Sequence, residues 1–201
     1  MNRVQVATYA LLGIALTISV VTDLLRREIK DIVTYPTFVL ALLLRAANGA
    51  AERQDEGAAA ALAGSWGSVF GGGLASGLVG ALAGCGLFLI LHLTSRGRAF
   101  GLGDVKLMAV VGAGVGFPMV LTCLLFVVVV GGIEAIVVLL WQGTFLRTLG
   151  GMARWLASKA GISRAGNRAL EGGGVPYGVA IAIGTAWGVW YSTSASLGLV
   201  R

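Results

Sequence analysis

Two aspartates stand at the edges of apolar runs: Asp23 closes the run that leads into "TDLLRREIKD" (22–31), and Asp104 opens the run that follows "GLGD" (101–104). Two carboxyl groups within hydrogen-bond reach cannot both ionise cheaply, so such a pair shares a proton. One member then activates a water as a base while the other protonates a leaving group or polarises a carbonyl. That is peptide-bond hydrolysis needing no metal. Gly101 and Gly103 suit it, because backbone without side chains can approach a substrate strand and turn sharply into a helix. A plainer reading stands beside this one: an Asp at a helix start caps the helix and favours its dipole.

The rest of the chain dictates where these acids sit. Its 201 residues are 57% hydrophobic and 12% charged, with a mean hydropathy of +0.87, which excludes an ordinary soluble domain. A span needs roughly 20 apolar residues. Segments 4–22, 32–47, 66–93 and 175–199 each supply a span, and the 4–22 run lacks the cleavage site of a removable signal. Segment 105–141 is too long for one span, and Gly116-Phe117-Pro118 breaks it into two. With six spans, segments 24–31, 94–106 and 142–174 share one side and hold eleven of the fifteen Lys and Arg residues. This positive-inside signal predicts an all-α, six-helix membrane bundle with both termini outside, and with Asp23 and Asp104 at one depth on the cytoplasmic face. The net charge of +6 therefore belongs to membrane topology and calls for no nucleic acid.

Other features read as packing or boundary. Gly73, Gly77, Gly80 and Gly84 share a helical face, while the pairs Gly112/Gly116 and Gly184/Gly188 repeat the four-residue spacing that lets backbones approach closely. Trp66, Trp141, Trp187, Trp190 and Tyr177 fall where interfacial anchors belong. Arg45 reads as snorkelling outward, His92 as an interfacial side chain, and 48–64 as an outer connector. Part of 142–174 reads as lying flat on an anionic leaflet. Glu134, inside the fifth span, reads as a cross-helix hydrogen bond or a functional acid. Cys85 and Cys123 form no CxxC pair and suggest no metal site or disulfide.

Three segments in order resemble the type IV prepilin peptidases. "GLGDVKLMAVVGA" (101–113) resembles that family's GxGD segment. Asp23, followed by Asp31 and "DIVTYP" (31–36), resembles its first acidic loop, although Lys30 stands in place of the usual proline and Asp31 in place of the asparagine of some relatives. "GGGVPYGVAIAIG" (172–184) is similar to the opening of its last span. The resemblance implies an aspartyl endopeptidase of the bacterial inner membrane that removes leader peptides from prepilins or pseudopilins at the cytoplasmic face. It implies Asp23 and Asp104 as the catalytic pair, no metal and no cofactor, and Gly101, Gly103, Lys106, Asp31 and Pro176 as residues that shape the site or hold substrate. It also implies a single peptidase domain over 1–201 without the amino-terminal methyltransferase-type domain of larger members, similar to the stand-alone peptidases of tight-adherence pili. The rival is a non-catalytic membrane protein, a small transporter or an assembly scaffold. A transporter places its polar groups near the midplane, whereas here they gather at one face.

Overall fold

The computed structural model describes residues 3–26, 31–55, 73–95, 101–141, 143, 150, 177–196 and 198. These hold six helices: α1 (Arg3–Arg26), α2 (Asp31–Asp55), α3 (Leu74–Thr94), α4 (Leu102–Val115), α5 (Met119–Trp141) and α6 (Tyr177–Ser196). The protein is all-helical over these residues, and α1, α2, α3 and α5 are each long and apolar enough to cross a membrane. α4 differs. Its 14 residues make about 21 Å of helix, short of the ~30 Å hydrocarbon core.

α4 is the hub. Ten of its residues, from Asp104 to Val115, are buried, so it is apolar all round and lacks a polar face. It contacts α1, α2, α3 and α6. Leu107, Met108, Val110, Val111 and Val115 join Leu12 and Leu16 of α1, Phe88 of α3 and Ile181 of α6 in one core cluster. Since lipid is as apolar as these side chains, close packing rather than water exclusion holds such a bundle together.

The glycine stripes do this work. Gly80 of α3 lies on the backbone of Gly112 of α4, and one turn away Gly84 lies on the backbone of Met108, so the two helices run antiparallel in van der Waals contact. Gly184 and Gly188 of α6 pack on Val127 and Cys123 of α5 in the same way. The break expected at Gly116-Phe117-Pro118 separates α4 from α5. Gly116 ends α4 with φ 72°, where a side chain would be strained, and it leaves no space for one.

The break also corrects the reading of Arg45. Its guanidinium donates to Ser76 Oγ at 3.2 Å, and Ser76 Oγ donates to the carbonyl of Phe117 at 2.9 Å. Arg45 packs against Gly116, so it fastens α2 to the α4–α5 turn and to α3 instead of reaching outward alone. Segment 48–64 is not all connector either, because α2 continues helically to Asp55. Its alanine-rich stretch favours helix, and Asn48 is buried. The segment 142–174 lies almost wholly outside the described residues, as do Trp66 and Pro176.

Candidate active site

Asp23 lies near the end of α1 and is only 8% exposed. Its Oδ2 accepts a hydrogen bond from the backbone N–H of Gly178 at 3.0 Å. Gly178 is the second residue of α6, and first-turn amides have no partner within their own helix. The aligned peptide dipoles add partial positive charge at that end, so the start of α6 is an anion seat occupied by Asp23. A Cβ on residue 178 would lie 2.7 Å from Asp23 Oδ2 and 3.2 Å from its Cγ. Gly178→Ala is therefore expected to push the carboxyl away from its donor. If Asp23 takes part in bond cleavage, a displacement of this size costs on the order of 10–100-fold in rate. Cleavage assayed on equal amounts of inserted protein measures this, and an unchanged rate would show that the contact is dispensable.

Asp104 is equally buried, at 8% exposure, in the first turn of α4. Its Oδ2 accepts the backbone N–H of Gly101 at 3.1 Å, the reach-back half of a capping box. The capping role anticipated for it is thus real. Burial nonetheless raises its carboxyl pKa to about 6; the Gly101 bond opposes that rise and the nearby Asp23 carboxyl adds to it. Asp23 lies within electrostatic reach of Asp104, so the ends of α1 and α4 bring near one another two acids 81 positions apart in the sequence. Gly101 has φ −76° and ψ 153°, ordinary extended backbone, and a Cβ there would make only van der Waals contact. The turn itself does not demand glycine at this position, contrary to the sharp turn expected there.

Asp31 and Lys106 meet beside the acids. Lys106 Nζ donates to Asp31 Oδ1 at 2.7 Å and lies 5.3 Å from the centroid of the Tyr35 ring. With side chains 37% and 54% exposed, the pair is screened by solvent and adds little to stability. Its role is geometric: it ties the start of α2 to the first turn of α4, next to Asp104. Gly103 sits in that same turn.

The sequence profile of the type IV leader peptidase family matches residues 10–136, more than half of the chain, and that span contains both buried aspartates. The chain belongs to the type IV leader peptidase family. No curated protein and no solved structure matches it. Membership makes the chain a membrane peptidase, and a leader peptidase requires a hydrolytic centre. Within the matched span the buried acids among the described residues lie at the C-terminal end of α1 and the N-terminal end of α4.

Two residues of this environment were not assigned to it from sequence. Glu134 of α5 lies within electrostatic reach of Asp23, and one of its carboxyl oxygens is buried with no hydrogen-bond partner among the described residues. Tyr177, read as an interfacial anchor, is half-buried and packs on Gly131 of α5. It interacts electrostatically with Glu134 and Asp104. The usable signal was the "PYG" string itself, whose tyrosine and glycine both face the acids.

Proposed function

We propose that this leader peptidase is an aspartyl endopeptidase that removes the leaders of type IV prepilins or pseudopilins, with Asp23 and Asp104 as its dyad. The observation that carries the proposal is the pair of buried carboxyls at the ends of α1 and α4, within electrostatic reach of one another. The shared proton rests on Asp104, which leaves Asp23 as the base. Asp23 takes a proton from water, whose oxygen adds to the scissile carbonyl carbon, and Asp104 gives its proton to the departing nitrogen as the C–N bond breaks. The proton gained by Asp23 and the charge left on Asp104 restore a dyad holding one proton. The exposed backbone at Gly101 gives a substrate strand room to lie beside Asp104, with the Asp31–Lys106 pair next to it. No cofactor enters this chemistry.

The distribution of Lys and Arg supports a six-crossing path, with α4 and α6 completing it, both termini outside and the acids at the cytoplasmic boundary of a bacterial inner membrane. A prepilin can then keep its apolar stem in lipid while its leader–stem junction reaches water at the dyad.

The test is cleavage of a purified prepilin in detergent, read as the mass of the released leader. Because Asp104 must carry a proton, kcat/KM is expected to hold up to a pH of about 6 and then fall roughly tenfold per pH unit. A flat profile from pH 5 to 8 would remove the shared-proton mechanism. Absence of cleavage of any co-encoded prepilin would favour the scaffold.

A further inference from the structure

The dyad's two acids come from α1 and α4, yet the group that meets Asp23 comes from neither. It comes from the first turn of α6, where Gly178 donates to Asp23. Its neighbour Tyr177 starts the helix, and successive residues of a helix point about 100° apart. Gly178 faces α1, and Tyr177 is turned toward α5, where a Cβ on Gly131 would lie 2.8 Å from the tyrosine ring. The absence of a side chain at Gly131 is what admits the ring.

The α5–α6 register extends this layer. Val127 lies against Gly184 and Cys123 against Gly188, and the same antiparallel register carried onward sets Glu134 level with Tyr177. The phenol accordingly lies within electrostatic reach of both Glu134 and Asp104, while Glu134 also reaches Asp23. Four helices thus place Asp23, Asp104, Glu134 and Tyr177 in one layer. Among the described residues, Asp104 Oδ2 accepts the Gly101 amide, so Oδ1 is the oxygen left to carry the carboxyl proton and donate it to the phenol oxygen, whose own O–H is then free for Glu134.

We infer that Tyr177 is a positioning residue of the dyad: its hydroxyl, oriented by Glu134 across Gly131, holds the Asp104 carboxyl while the adjacent Gly178 amide holds Asp23. Two consecutive residues of α6 then set the separation of two acids that lie on different helices. The inference rests on the aspartyl-peptidase reading and adds to it the element that assembles the pair. Among the described residues, the ionisable groups near Tyr177 are Glu134 from α5, Asp104 from α4 and, through Gly178, Asp23 from α1.

Tyr177→Phe separates this role from packing, because the ring still fills the space over Gly131 and only the hydroxyl is lost. The variant is expected to insert normally and to lose roughly 10–100-fold in kcat with KM within about twofold of wild type, while Glu134→Gln, which keeps an acceptor for the phenol, loses less than Glu134→Leu. A second readout needs no substrate: the infrared carbonyl band of the protonated Asp104 carboxyl, assigned by its disappearance in Asp104→Asn, is expected to shift in Tyr177→Phe. Full kcat in Tyr177→Phe, or an unmoved Asp104 band, would overturn the inference. If instead the wild-type enzyme cleaves no prepilin, the peptidase reading fails, and the infrared comparison still decides whether the phenol bonds Asp104.

Discussion

Asp23→Asn and Asp104→Asn are each expected to abolish leader cleavage, by on the order of 10²–10⁴-fold or more, while the protein still inserts. The Asp104 variant carries a second expectation. Asp104 is ordinarily a group of pKa 3.8, raised in the folded protein to about 6 by burial. Between those values the unfolded chain gives up its proton and the folded one keeps it, so stability falls as the pH rises from about 4 to about 6 and stays lowered above that. A neutral amide has no such penalty. At pH 7.5, Asp104→Asn should therefore be more thermostable than wild type by on the order of 2–3 kcal/mol, while its carbonyl oxygen can still accept the Gly101 amide. Loss of cleavage together with a gain in thermal stability in detergent is the signature of a carboxyl kept for chemistry. Loss of cleavage together with loss of stability would instead mark Asp104 as a structural cap, the plainer reading of an aspartate in a first turn.

That same residue shows what a sequence can and cannot reveal. A chain of 57% hydrophobic residues with breaks at glycine and proline declares its helices, because helical length and apolar runs are local properties. The separation of α4 from α5 at 116–118 was legible for that reason, and so was the close helix contact at Gly80, Gly84, Gly112, Gly184 and Gly188. The two acids were legible as candidates through their types and their placement at the ends of apolar runs. What the sequence could not display is which partner each acid takes. The Asp23–Gly178 bond joins residues 155 positions apart, and nothing about a glycine advertises that its amide, rather than its missing side chain, is the functional group. Arg45 misled for a related reason. An arginine near a span end usually reaches for water, but here Ser76 and the turn at Phe117 supply acceptors within the bundle. Tyr177 resembled an anchor because aromatic residues gather at interfaces, and only the space at Gly131 shows that its ring turns inward.

Gly112→Ala is expected to be the most disruptive single substitution outside the acids. A Cβ at residue 112 would fall on the carbonyl of Gly80 and lie 2.9 Å from the amide nitrogen of Ala81. Both are helical backbone, which cannot rotate aside as a flexible side chain would, so α3 and α4 must separate along their contact. Overpacking in a well-packed interior costs typically 1–3 kcal/mol, and a clash with backbone belongs at the upper end of that range or beyond it. The consequence reaches the chemistry because α4 carries Asp104 on the same rigid helix, two turns from Gly112. Displacing α4 by even 1 Å would cost about 10²-fold in rate. Gly112→Ala should thus lower the detergent melting temperature and the cleavage rate together, with Gly112→Val worse in both, whereas Gly86→Ala, where a Cβ meets nothing within 4 Å, should leave both unchanged. The Gly86 variant makes the comparison decisive. It lies on α3, as Gly80 does, so equal damage from Gly86→Ala would trace the loss to general intolerance of α3, and not to the backbone contact that seats Asp104 beside Asp23.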